Sequence, residues 1–144
     1  MKISIVIPVY NEVDSLRELH SQLSQSLSVF DSYEILFIDD GSTDGSVDHI
    51  KELSTTDDHV NLIEFHRNYG KSAALAEGFK YAKGDYIVTM DADLQDDPAE
   101  IPNLVAKLEE GFDLVSGWKK DRQDPFSKTA PSKLFNFVTR LFTG

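Results

Sequence analysis

Five short runs rich in Ile, Val and Leu alternate with stretches that carry helical periodicity, and this alternation constrains the fold more than any other feature of the chain. The strand-like runs are Lys2–Val9, Tyr33–Asp39, Asn61–Phe65, Asp85–Met90 and Asp113–Ser116. Several are unbroken apolar runs, the pattern of strands covered on both faces. Between the first two, Val13, Leu16, Leu19, Leu23 and Leu27 recur at helical spacing, with Asn11 or Asp14 as the expected cap. Ser46–Leu53, Lys71–Ala82 and Pro98–Glu110 supply further helices, the last opened by Pro98 and closed by Gly111. The order βαβαβαβαβ predicts an α/β fold, a largely parallel, right-handed sheet with helices on both faces. Ligands of such sheets bind at the carboxyl ends of the strands, so the residues that follow each strand become the candidates for function.

A chain of 144 residues is long enough to bury a core of its own. No apolar run approaches the ~18–20 residues of a membrane span, and the segment after Met1-Lys2 reads as a strand rather than a signal peptide. The absence of cysteine excludes disulfides and thiolate metal sites, leaving oxygen or imidazole as the metal ligands. A cytoplasmic setting is the expectation. The net charge of -11 argues against general nucleic-acid binding. That charge is unevenly spread. Six Lys/Arg against Asp121 and Asp124 make residues 118–144 net +4, which leaves -15 in residues 1–117. Two ligands of different character would explain the asymmetry, and so would a solvated basic helix. The expected division is a ligand-binding α/β domain over 1–117 and a basic, amphipathic segment over 118–144.

Each of the first three strand ends carries a polar cluster. After the first strand, Tyr10 can stack on a base and Glu12 can accept hydrogen bonds, although the segment is also ordinary turn chemistry. After the second come Asp39-Asp40-Gly41-Ser42-Thr43-Asp44-Gly45, where an acidic group can read a ribose hydroxyl or a base N–H. Gly41 would let the backbone approach a ligand, while Ser42 and Asp44 equally suit a helix cap. No GxGxxG is present, and the paired aspartates by themselves would also fit a phosphoacceptor receiver domain. After the third strand, Arg67 and Lys71 flank Gly70 and can approach a diphosphate; Lys71 is equally an ordinary residue of a first helical turn.

The most informative segment is Met90-Asp91-Ala92-Asp93-Leu94-Gln95-Asp96-Asp97-Pro98. If Asp91 and Asp93 alternate on a strand end, both carboxylates face one side. Two hard oxygens so placed suit Mg²⁺ or Mn²⁺ and leave coordination positions for phosphate oxygens. A lone DxD is a weak signal; at a strand end, beside other acidic strand ends, it is a strong one.

Taken together, IVIPVYNE, IDDGSTDGS, RNYGKSAALAEG, DADLQDDPAE and SGWKKDRQDP closely resemble glycosyltransferase family 2 over nearly the whole chain. Within that family they look most like the enzymes that load a sugar onto a polyprenyl phosphate. The resemblance implies a Rossmann-like GT-A fold and an inverting, metal-dependent transfer from a UDP- or GDP-sugar to undecaprenyl or dolichyl phosphate. It implies that Pro8, Tyr10, Glu12, Ile38 and Asp40 line the nucleotide pocket, and that Asp91, Ala92 and Asp93 meet metal and diphosphate beside Gln95. It also places Lys119, Lys128 and Ser132 at the acceptor phosphate, with Asp93 among the catalytic residues. Where mannose synthases carry an arginine, Lys119 keeps the charge and loses the bidentate fork. An anionic phosphate acceptor needs no protein base, only a cationic clamp, for which Lys119, Arg122 and Lys128 are the candidates.

Family members continue beyond this point, so the chain looks like a fragment. Leu134, Phe135, Val138, Leu141 and Phe142 predict an apolar helical stripe flanked by Lys133 and Arg140. The stripe either packs on the remainder of the protein or lies on an anionic membrane surface, at the cytoplasmic face of a membrane to which the full-length protein is anchored. Exposed in this chain, it would favour self-association into homo-oligomers. Two readings compete with the polyprenyl-phosphate transferase: a family 2 transferase acting on a glycan hydroxyl, and a non-catalytic nucleotide-binding module.

Overall fold

A computed structural model describes residues 2–110 together with the backbone of 114–116 and 137–140. β1 (Lys2–Val9), β2 (Ser32–Asp39), β3 (Val60–Glu64) and β4 (Tyr86–Thr89) are joined by α1 (Val13–Leu27), α2 (Ser46–Thr56) and α3 (Lys71–Tyr81). A one-turn 3-10 helix, Pro98–Glu100, then leads into α4 (Ile101–Glu109), followed by β5 (Leu114–Ser116) and β6 (Phe137–Arg140). Asp97 accepts the N–H of Ala99 and Pro98 sits in the first turn, so the helix start expected at Pro98 is built as a capped 3-10 turn.

The sheet order is β3-β2-β1-β4-β6-β5. β1 pairs in parallel with β2 and β4, and β2 with β3, whereas β6 is antiparallel to both β4 and β5. The sheet is thus mostly parallel, as its buried Ile/Val runs require. The chain builds outward through β2 and β3, then returns to the opposite side of β1 for β4. The strand order therefore reverses between β1 and β4, and their carboxyl ends open a crevice at that point.

Alternation along the strands supplies both faces. Ile3, Ile5, Ile7 and Val9 pack with Ile35 and Phe37 against Leu16, Leu19, Leu23 and Leu27 of α1, Ile50 of α2 and Ile101, Leu104, Val105 and Leu108 of α4. Each such fully buried leucine or isoleucine contributes roughly 1.5–3 kcal/mol. Val6, Leu36, Ile38 and Ile87 face the other way, against Ala74, Leu75 and Phe79 on the α3 side. Gly78 permits that close packing: a Cβ there would lie 2.3 Å from Val6 Cγ1.

Two local expectations are corrected. The amphipathic helix expected across 134–142 is, over Phe137–Arg140, strand β6. There an aromatic and two β-branched residues join the ladder of β4, where strand pairing outcompetes helical periodicity. Lys133, Leu134, Phe135, Leu141 and Phe142 lie outside the described residues, as does Gly111. Neither Asn11 nor Asp14 caps α1. The Glu12 and Val13 N–H groups donate to Ser46 Oγ and Asp44 Oδ2, so the cap is supplied by the loop after β2. Asp44 also accepts the Ser46 N–H and hydroxyl, serving the starts of α1 and α2 together. Desolvation acts to raise its carboxyl, and these bonds outweigh it and hold the group below the ordinary range.

Candidate active site

Four loops meet at the crevice: 10–12 after β1, 40–46 after β2, 66–71 after β3 and 90–97 after β4. The first two are laced together. Asn11, at φ 54°, donates its N–H to Ser42 Oγ and accepts the Thr43 N–H on Oδ1, each at 2.8 Å. A side-chain amide tolerates this left-handed backbone better than most residues. Tyr10 follows β1 and is half exposed, with its ring available to a ligand.

Asp40 is 4% exposed. Its carboxylate accepts the N–H groups of Tyr69 (2.7 Å) and Gly70 (3.0 Å) and the amide of Asn68 (3.1 Å). The group expected to face a nucleoside is therefore already engaged in folding the 68–70 loop. Gly41 repeats the pattern. At φ +82°, a Cβ would sit 2.5 Å from Arg67 C and Asn68 N. The close backbone approach expected toward a ligand is made toward the chain's own loop. On that loop Arg67 lies 4.8 Å over the Tyr69 ring, and Tyr69 meets Phe65 edge-on. Ile38, expected to line the pocket, is fully buried in the α3-side core, which corrects any side-chain role in the crevice. Pro8 is half-buried in β1, two residues before Tyr10.

The Asp91–Asp93 pair is not on a strand end. β4 stops at Thr89, and the ladder closes with Met90 N–H donating to Val6 O. The Asp91 N–H then turns to the buried carboxylate of Asp96 (2.7 Å), and Gln95 N–H donates to Asp93 Oδ1. Leu94 adopts φ 68°. A turn, not strand alternation, presents the two carboxylates. Ala92 between them is buried in the main core, with its carbonyl accepting the Ser15 hydroxyl from α1 at 2.5 Å. Asp93 and Gln95 are exposed.

The electrostatics confirm that these loops converge. Burial and the negative charges of Asp93, Asp44 and Asp91 push the Glu12 carboxyl above its ordinary range, only partly offset by the Ser15 hydroxyl. The ammonium of Lys71 donates to Asp91 Oδ1 at 2.5 Å, bringing the loops after β3 and β4 together. Ser15, Asn68 and Asp96 escaped the sequence reading. Asp96 was legible only as one of a run of acids, and nothing local marks a serine on α1 as a partner of residue 92. Lys119, Lys128, Ser132 and Arg122 lie outside the described residues.

All-oxygen donors at Asp91 and Asp93 suit a hard divalent cation. Among the described residues no group of three or more His, Cys, Asp or Glu is arranged to hold a metal, so these residues alone offer too few ligands for a closed site. That donor set fits an ion whose coordination is completed by phosphate oxygens and water.

A mostly parallel sheet with this crevice, an acidic loop after β4 and an aromatic after β1 defines a GT-A glycosyltransferase fold, and solved structures agree. The chain is similar to the mannosyltransferase PcManGT of Pyrobaculum calidifontis in complex with GDP-Man and Mn²⁺, with TM-score 0.72 and 26% identity over 80% of this chain and 34% of that one. It is also similar in fold to glucosyl-3-phosphoglycerate synthase of Mycobacterium tuberculosis in complex with UDP, with TM-score 0.73 and 21% identity over 96% of this chain and 56% of that one. The glycosyl transferase family 2 model matches residues 4–143, and the chain belongs to that family. Among curated relatives, the undecaprenyl-phosphate 4-deoxy-4-formamido-L-arabinose transferase of Salmonella choleraesuis (strain SC-B67) is 46% identical over 145 residues, which cover 99% of this chain and 44% of that protein. The chain therefore spans less than half the length of the curated relatives it matches.

Proposed function

We propose that this domain holds the nucleoside diphosphate sugar of an inverting transferase whose acceptor is a polyprenyl phosphate. The convergence of Asp91, Asp93, Glu12 and Lys71 at the β1/β4 crevice is the observation that carries the donor half of the reading. Tyr10 offers its exposed ring to the base. The 67–70 loop, held by Asp40, forms the neighbouring wall. Asp91 and Asp93 would hold Mg²⁺ or Mn²⁺, with the exposed Gln95 of the same turn beside the diphosphate, while the buried side chain of Ala92 leaves only its backbone to border it. When bound, the cation neutralises charge on the leaving nucleoside diphosphate. The residues of this chain orient the donor, with Arg67 and Lys71 as the nearby cationic groups for its phosphates.

The acceptor half rests on the relative acting with undecaprenyl phosphate. Lys119, Lys128 and Ser132 are proposed to clamp the acceptor phosphate, which attacks as an anion without a protein base. A lipid acceptor implies work at a membrane surface, for which we propose the cytoplasmic face; among the described residues no helix is long and apolar enough to cross a membrane. We likewise propose that the protein self-associates and that residues 118–144 form its acceptor segment.

Calorimetry with UDP, GDP and their sugars, in Mn²⁺ and in EDTA, tests the donor half. Binding of one nucleotide that is lost in EDTA supports it, and metal-independent binding overturns the metal role. Transfer of sugar to undecaprenyl phosphate by the full-length protein tests the acceptor half, and transfer only to glycan hydroxyls overturns it.

A further inference from the structure

We infer that Lys71 is a counter-cation of Asp91 that a divalent metal displaces, and that the released ammonium then serves the donor phosphates, so that metal and nucleotide bind cooperatively. The inference rests on the metal role proposed above for Asp91.

Each partner of the pair is anchored from behind by its own buried aspartate. Lys71 opens α3, and the two preceding residues, Tyr69 and Gly70, are held through their N–H groups by Asp40. Asp91 is held through its N–H by Asp96, itself 3% exposed. The backbones on the two sides of the crevice are thereby fixed, while the lysine stem between them stays flexible. At the tip, the side chains of Lys71 and Asp91 are 60% and 32% exposed. A contact so open to water is easily exchanged.

Asp91 Oδ1 cannot serve both cations at full strength. An ammonium at hydrogen-bond distance and a dication on the same carboxylate would stand only ~4 Å apart, where like charges repel appreciably. Binding of metal alone therefore costs the Lys71 contact. Phosphate oxygens arriving on the metal reverse that cost, because they bring negative charge within reach of the same ammonium. Among the described residues, Lys71–Asp91 is the ion pair at this turn, and the negative charges of Asp93, Asp44 and Asp91 act together on Glu12. The lysine thus opposes metal alone and favours metal with diphosphate.

The test is calorimetric titration of chelator-stripped protein with Mn²⁺ alone, then with UDP and with GDP in saturating Mn²⁺, for wild type, Lys71→Met and Lys71→Arg. The inference expects Lys71→Met to bind Mn²⁺ about two- to fivefold more tightly, the range of an exposed ion pair. The same variant should bind the nucleotide more weakly, and Lys71→Arg should stay near wild type in both. Loss of a merely structural lysine would not move the two affinities in opposite directions. Unchanged or weaker Mn²⁺ binding by Lys71→Met, or an equal gain in Lys71→Arg, overturns the inference. Asp91→Asn separates the two failures. If wild type binds Mn²⁺ and Asp91→Asn does not, an unaltered Lys71→Met sinks only the exchange; if Asp91→Asn binds like wild type, the metal reading falls and takes the exchange with it.

Discussion

Asp40 Oδ1 accepts the backbone N–H of Tyr69 at 2.7 Å, across 29 residues of chain, and by this bond the end of β2 shapes the loop that follows β3. The other oxygen takes Gly70 N–H and the Asn68 amide. An acidic strand end in this fold is thus a loop-building residue whatever it also offers a ligand.

Replacing Asp40 should therefore cost stability as well as binding. Asp40→Ala leaves two N–H groups without their acceptor, and should destabilise the domain by about 2–4 kcal/mol, since bonds to a buried charged group are worth more than neutral ones. Chemical denaturation measures the loss, and amide exchange should accelerate at Tyr69 and Gly70. A variant of wild-type stability would show that the loop does not depend on Asp40.

Asp93→Asn should behave in the opposite way. The residue is exposed and its one hydrogen bond within the turn, from Gln95 N–H, survives in the amide. Stability should change by less than about 0.5 kcal/mol. Mn²⁺-dependent nucleotide binding should weaken at least tenfold in calorimetry, with no change in any binding that persists in EDTA.

Gly41→Ala combines backbone strain with collision. The position requires φ +82°, and the new methyl would meet Arg67 and Asn68 backbone at 2.5 Å. A loss of roughly 2–4 kcal/mol is expected from the two effects together. The melting temperature should fall accordingly, whereas Ser72→Ala at an exposed position on α3 should leave it nearly unchanged.

Far from the crevice, Asp57 is shared by two imidazoles: His20 Nε2 at 2.8 Å from one oxygen and His59 Nδ1 at 2.7 Å from the other. His59 also stacks on Tyr33, 3.9 Å between ring centres. Burial opposes ionisation of Asp57, but the bonds from His59 N–H and from both rings prevail and hold its carboxyl below the usual 3.8. A depressed carboxylate stabilises the fold above its unfolded pKa, and that stabilisation is lost as pH falls through the lower folded value. Asp57→Asn should thus cost about 1–2 kcal/mol at neutral pH, and the gap to wild type should narrow as pH falls below the unfolded value toward the lowered folded one. Denaturation curves at pH 7 and pH 3 check it; a gap that widens in acid would contradict the assignment.

The helices of this chain are local statements, which is why they could be read directly. Leucines at 16, 19, 23 and 27 make an apolar stripe in any context, and all four are buried. Pro98 similarly marks a helix start because its ring geometry is its own. β6 shows the limit of that reasoning. Val138 belongs to an apolar stripe compatible with a helix, but over Phe137–Arg140 the hydrogen bonds exchanged with β4 and β5 are non-local and outweigh it.

The candidate site divides along the same line. Residue types were legible: carboxylates at 91 and 93, an aromatic at 10, cations at 67 and 71 and a glycine at 41 are chemical facts of the chain. Their partners were not. That Gly41 admits the chain's own loop, that Asp44 caps a helix of earlier sequence, and that Lys71 meets Asp91 across 20 residues all depend on which strands lie side by side. Read alone, the chain settled the elements from β1 to β5, the α/β class, the family resemblance and the inventory of reactive groups, because periodicity and residue chemistry act within a few residues. Only the tertiary structure decided that β4 returns beside β1 and which carboxylates are spent on the loops, because burial and hydrogen-bond satisfaction are settled between segments far apart in the chain.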